Sequence, residues 1–220
     1  MIFDWAYAVS LLPVLVPALL ITLKATAAGM AIALSLGLVL ALARRSRARL
    51  VSWPAAAFVE FVRSTPLLVQ LYFLFYVLPG AGVTLSPFAT GALALGLHYA
   101  AYCSEVYRAG IESVPLGQWE AASALNFGRR DTLVRIILPQ AVARVVPALG
   151  NYLVARFEDT PLLSALSVVE LLQTAKMIGS ETFRYVEPLT LVGVLFLVLS
   201  LASAAGIRAL EGRLAQAVRA

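Results

Sequence analysis

Few side chains in this sequence are equipped for chemistry, and their spacing limits what that chemistry is. His98 and Cys103 stand five apart in LGLHYAAYC, each the single residue of its type. With no further ligand nearby they close no metal site, and one thiol excludes a disulfide framework. No serine lies in a GxSxG or comparable setting, so a nucleophilic triad has no base beyond His98. No GxxxxGK(S/T) is present, so the chain cannot cradle nucleotide phosphates itself. The expectation is a non-catalytic protein without metal or cofactor, with His98 packed or lining a pore.

The remaining candidates are charges set in apolar sequence. Asp159 lies in Glu158-Asp159-Thr160-Pro161, with Arg156 three residues before it, and Glu60 and Arg63 are likewise three apart. Ionisable groups inside membrane spans are expensive and by default functional. Asp159, beside a Thr-Pro break, can hold an ammonium or other cationic group. The alternative is an ion pair with Arg156, since residues three apart meet on one helical face. For Glu60 and Arg63 a structural pair is the favoured reading.

The elements that must position these residues follow from composition. Of 220 residues, 61% are hydrophobic and 13% charged, against about 45–50% and about 25% in soluble domains. Most of the chain therefore belongs in lipid or in a bundle within it. The net charge of +5 makes no nucleic-acid patch, because the basic residues collect at the ends of apolar runs, a pattern that sets topology. Residues 1–23 lack a basic n-region, and their apolar run continues past any cleavage-site length, so they do not read as a signal peptide. Met1 to Ser10 reads as a short amphipathic segment, with Asp4 and Trp5 suited to an interface. Leu11 to Ala43, apolar except for Lys24, is too long for one perpendicular span. Pro13 and Pro17 are expected to separate an interfacial segment from a first span at about 19–42, with Lys24 snorkelling near one end. Further spans are expected at about 55–78, 86–108, 136–157 and 188–210.

Eleven arginines (44, 45, 47, 49, 108, 129, 130, 135, 208, 213 and 219) fall on one side of these spans, while the other carries Lys176 and Arg184. The bias predicts an N-out, C-in topology. Glu158 to Glu187 is apolar for about a dozen residues from Thr160 and then polar. That is too short for a span, and it reads as a re-entrant segment, 158–187, lining a water-filled cavity. The whole is expected to be one transmembrane domain, residues 1–220, all-α and integral to the membrane.

Pro115 to Pro139 is the one long polar interval with an amphipathic design of its own. Pro115 and Gly117 interrupt the third span, and Gln118 to Leu125 predicts about two helical turns, with Trp119, Ala122 and Leu125 on adjoining positions. Ala121 and Ala122 are small enough for close approach by a partner, and Glu120 offers it a carboxylate. A helix lying on the bilayer favours Lys or Arg, and none occurs between Gln118 and Phe127. Asn126 suits the left-handed conformation that ends a helix.

Glu120-Ala121-Ala122, followed at Pro139 by Ile137-Leu138-Pro139, resembles the EAA loop of ABC-importer permeases, with Asn126 where that family usually has Gly. Phe58 to Gln70, FVEFVRSTPLLVQ, resembles the FVEFxRGTPLLVQ signature of polar amino-acid permeases, with Ser64 for Gly. Gly150-Asn151-Tyr152 through Asp159-Thr160-Pro161-Leu162-Leu163-Ser164 is similar to that family's GN…KDTSLVS segment, and with Glu105 to Gly110 the likeness covers about 15 to 213.

The resemblance implies a five-transmembrane-helix type I ABC importer permease fold in a bacterial inner membrane, with a cytoplasmic coupling helix. Its coupling loop, 115–131, would dock an ATPase dimer through Pro115, Gly117, Glu120, Ala121, Ala122 and Asn126. A second permease, identical or not, and an extracytoplasmic substrate-binding protein complete the implied assembly. Substrate would bind mid-membrane at Thr65, Pro66, Leu68, Tyr152, Asp159, Thr160 and Ser164. Glu158 stands where the family has Lys, and Tyr152 where some permeases for basic amino acids carry an acid. An aromatic there suits a ring or a delocalised cation. The runs at 150–165 and 183–190 look most like the ectoine/hydroxyectoine branch, which imports a zwitterionic compatible solute. A general polar amino-acid permease of glutamine or histidine type is the alternative, and a secondary transporter a remote one.

Overall fold

The computed structural model describes residues 3–219, with side chains as far as residue 213. Residues 1, 2 and 220 lie outside it, so the segment expected at Met1–Ser10 is described from Phe3 onward, and the side chain of Arg219 is not described. Helix α1, Trp5–Arg44, opens on Asp4, whose carboxylate accepts the Tyr7 N–H at 3.1 Å. It runs through Pro13 and Pro17 without a break, so no separate interfacial segment precedes the first span. The two prolines are four apart and both exposed, so the N–H donors they lack are missing on one side only. Membrane helices tolerate such losses where neighbouring groups re-satisfy the freed carbonyls.

The second expected span is not continuous. Helix α2, Arg49–Arg63, stops at Ser64-Thr65-Pro66, and α3, Leu67–Tyr72, continues through a wide π turn at Phe73–Val77 to Ala81. The two arms meet at 109°. Pro66 drives residue 65 out of the helical region and cannot donate to the preceding turn. Gln70 closes the break. Its Nε2 donates to the carbonyls of Val62 and Thr65 at 2.8 and 3.1 Å and to the Thr65 hydroxyl at 2.8 Å, and its Oε1 lies 3.2 Å from His98 Nδ1. Replacing Gln70 by leucine strands all of these groups. A loss of about 2–3 kcal/mol is expected, read as a lower unfolding midpoint of the purified protein, and an unchanged midpoint would refute the role.

Helix α4, Pro87–Glu112, packs along α1 through a seam of small residues. Ala25, Gly29, Ala33 and Gly37 of α1 recur every fourth residue, as do Ala92, Gly96, Ala100 and Ser104 of α4, and all eight are buried. A Cβ at Gly37 would lie 2.7 Å from the Cys103 Cβ and 3.0 Å from the Ala100 carbonyl. Small residues at this spacing let membrane helices approach backbone to backbone. Beyond α4 come α5, Leu116–Ala124; the single turn α6, Arg129–Asp131; a π turn at Thr132–Ile137; and α7, Leu138–Asp159. A 3₁₀ segment, Thr160–Leu166, leads to α8, Leu171–Thr182, and α9, Val186–Arg219. The interval expected to be re-entrant is thus two pieces, one tight and apolar, one a polar helix.

Among the described residues three helices are long and apolar enough to cross a membrane, and four if the bent pair is one span. The expected third span, α4, is long enough but more polar. It is the most enclosed helix and carries His98, Tyr99, Tyr102 and Glu105 into the bundle rather than toward lipid.

Two charged clusters tie the ends of the bundle. At the arginine-rich end Glu105 receives Arg44 at 2.6 Å, Arg108 at 2.8 Å and Arg63 at 3.4 Å, joining α1, α2 and α4. Arg63 therefore turns to α4 rather than to Glu60, whose side chain is exposed, and the expected Glu60–Arg63 pair is replaced by a carboxylate shared among three guanidinium groups. At the opposite end Arg184 bridges Asp4 and Glu187 and lies over the Tyr7 ring at 4.0 Å.

Candidate functional site

Where α4 faces α7, four rings form a cluster with a carboxylate at its edge. Tyr99 and Tyr102, one turn apart on α4, meet Tyr152 of α7 with ring centres 6.0 and 5.7 Å away, and His98 lies 5.1 Å from Tyr102. The Tyr99 hydroxyl donates to Asp159 Oδ2 at 2.6 Å. Two guanidinium groups border the rings, Arg63 over Tyr102 and Arg156 over Tyr99, each 5.5 Å from the ring centre. The arrangement offers electron-rich faces and a carboxylate to a cationic group, and guanidinium donors to an anionic one.

Among the described residues no ion pair joins Arg156 to Asp159. The helical spacing permits one, but Asp159 turns to Tyr99 and Arg156 points to α1. Arg156 is fully buried, and among the described residues none of its three side-chain nitrogens has a hydrogen-bond partner.

The other expected pocket residues divide between two irregular segments. Thr65, Pro66 and Leu68 lie at the break between α2 and α3, where the Thr65 hydroxyl donates to the Phe61 carbonyl at 3.0 Å and accepts from Gln70. Thr160 is fully buried and its hydroxyl donates to the Phe157 carbonyl at 2.7 Å, so it holds the end of α7. Ser164 lies half-buried in the 3₁₀ segment. Leu67 and Leu71 pack with Leu163 and Leu166 in one apolar cluster, which brings the two irregular segments together beside the rings. Sequence reasoning passed over Tyr99, Tyr102 and the capping role of Gln70. The i, i+3 spacing of the two tyrosines next to His98 was the signal that places all three on neighbouring positions of one helix.

The second candidate region is α5. It begins directly after Pro115, its N-cap, with Gly117 inside its first turn rather than breaking it. Asn126 adopts φ 56°, the left-handed conformation the sequence reading assigned to it. The Phe127 and Asn126 N–H groups donate back to the Ala122 and Ser123 carbonyls, each at 3.0 Å, a Schellman ending. Ala122, expected to face a partner, is buried against the protein's own body, with Trp119 half-buried one turn before it. Trp119 packs on the cluster of Ile111, Val114 and Ile137. Leu125 does not share that inner face and is 72% exposed. The outward face presents Leu116, Gly117, Glu120, Ala121 and Leu125: apolar and small residues around one carboxylate.

Comparison with known proteins agrees with this architecture. Residues 33–216 match the family described as binding-protein-dependent transport system inner membrane component. A probable amino-acid ABC transporter permease, y4tG of Sinorhizobium fredii, is 49% identical over 94% of this chain and 90% of its own length. The glutamate/aspartate import permease GltK of Escherichia coli O157:H7 is 36% identical over 97% of this chain and 99% of its own. A crystal structure of an amino-acid ABC transporter with histidines superposes with a TM-score of 0.91 at 32% identity, covering 97% of this chain and all of that one. The methionine transporter MetNI shares the fold at a TM-score of 0.65 and 19% identity.

Proposed function

The chain belongs to the binding-protein-dependent transport system inner-membrane family, as a permease of polar amino-acid ABC importers, and we propose that it carries a zwitterionic amino acid past the ring cluster between α4 and α7. The observation that carries this reading is the Asp159 carboxylate, which accepts the Tyr99 hydroxyl at the edge of the ring cluster, a receptor for an ammonium group. Thr65, Pro66, Leu68, Tyr152, Thr160 and Ser164 form or support this path in the same reading. It places five spans in the membrane, with the arginine-rich end in the cytoplasm and the N-terminus outside. It also pairs the chain with a second permease, and seats the loop 115–131, through Glu120 and its neighbours, on an ATPase that supplies the energy.

The test is uptake by proteoliposomes holding the complex purified from its native gene cluster, with its binding protein and ATP. Labelled L-glutamine, L-glutamate, L-histidine, L-cystine and ectoine form the panel. ATP-dependent accumulation of one or more amino acids is expected. Accumulation of ectoine alone would move the substrate to the compatible solutes. Uptake of an amino acid without ATP, driven by an ion gradient, would overturn the assignment of the energy source.

A further inference from the structure

Arg156 is unusual on physical grounds. A guanidinium carries five donors and keeps its charge in proteins, and burying it without a partner is strongly unfavourable. Here it is fully enclosed and has no partner among the described residues. The fold nonetheless makes room for it. On α1, opposite Arg156, stands Gly29, where an added Cβ would fall 1.4 Å from Arg156 Nη2. Any other residue at position 29 would fill the slot that receives the guanidinium. The Tyr99 ring spans the space between this cation and Asp159, facing the guanidinium and donating its hydroxyl to the carboxylate. An anion-binding fork and a cation-binding carboxylate thus sit one helical turn apart, not neutralising each other.

We propose that Arg156 receives the carboxylate of the transported zwitterion while Asp159 holds its ammonium, the Gly29 slot being where the side chain rests before substrate arrives. The inference depends on the amino-acid import reading and adds to it the residue that selects for an acid group. An α-amino acid carries its opposite charges on two groups bonded to one carbon, and two side chains three residues apart, separated by about 4.5 Å along the axis, can reach both once each turns inward. The planar fork also explains arginine rather than lysine, because it meets both carboxylate oxygens at once.

The experiment is equilibrium binding to the purified permease complex without its binding protein. Labelled L-glutamine, L-glutamate, L-histidine and L-cystine are the probes, each against its methyl ester as competitor. The wild type is expected to bind at least one free acid about 10-fold more tightly than its ester, a single charge-assisted contact. Arg156→Gln is expected to lose that preference, binding acid and ester equally, and Arg156→Lys to retain part of it. Thermal unfolding separates this from misfolding: Arg156→Leu should unfold at or above the wild-type temperature, since it removes an unpaired buried charge. Arg156→Gln keeping the full preference for the free acid, or losing acid and ester alike, would overturn the inference. A wild type that binds none of the four would defeat the amino-acid reading itself, and the inference with it.

Discussion

Arginine in place of glutamate at position 120 is expected to abolish ATP-driven uptake and to release the ATPase from the complex, with the permease itself still folded. Glu120 is the one charge on the outward face of α5, and its exposed side chain makes no hydrogen bond or ion pair among the described residues. The inward face, with Ala122 at 1% exposure and Trp119 over Ile111 and Ile137, is untouched by the change. A docked carboxylate loses its partner on reversal and presents a like charge instead, which costs several kcal/mol at an interface, or roughly a 100-fold or greater loss of association. Mild-detergent co-purification of the tagged chain measures it directly. ATPase recovered at the wild-type yield from the Glu120→Arg protein would mean that α5 is not the docking element. Leu125→Ser is a useful companion, because Leu125 is equally outward and 72% exposed and tests the apolar part of the same face.

Asp159→Asn is expected to raise the KM for uptake by about 10- to 100-fold, the range for a lost hydrogen bond to a charged group, with complex assembly intact. The amide keeps the size of the carboxylate and can still accept from the Tyr99 hydroxyl, so the protein should fold and unfold as the wild type does. What disappears is the negative charge beside Tyr99. A merely structural Asp159 would behave differently, with a lower unfolding temperature and an unaltered KM. The two roles are therefore separable in one pair of measurements.

How much of this was legible beforehand depended on whether the signal was local. The spans at α7 and α9 were visible as apolar runs, and the left-handed Asn126 as a helix ending, because each is decided by a few neighbouring residues. The unbroken α1 was not. Proline is a strong local signal, but whether a helix continues past it depends on what covers the freed carbonyls, which only the packed bundle settles. The converse error occurred at Pro66, where a run apolar enough to be a continuous span breaks by 109°. The competing cap, Gln70, could be read as a motif residue but not as the group that stabilises the break. The fate of Arg156 and Asp159 was undecidable from spacing alone. Their i, i+3 positions allow a pair, and it was Gly29, more than a hundred residues away in sequence, that gave the arginine another place to go. Glu60 and Arg63 failed as a pair for the same reason, since Glu105 on a different helix competes for the arginine.

The length of α1 has a mechanical consequence. At about 1.5 Å per residue its 40 residues make a rod of roughly 60 Å, about twice the hydrocarbon thickness of a bilayer. One end is fastened at Arg44 to Glu105, and the other lies in the cluster of Asp4, Tyr7, Arg184 and Glu187. Its middle is zipped to α4 by the small-residue seam. Such a member has little compliance, so a displacement imposed near Arg44 reaches Asp4 as tilt rather than being absorbed on the way. The bend at Ser64–Pro66 is the opposite kind of part, a joint held by one glutamine side chain. A stiff strut and a jointed arm are thus both packed on α4, which meets the arm through the His98–Gln70 contact.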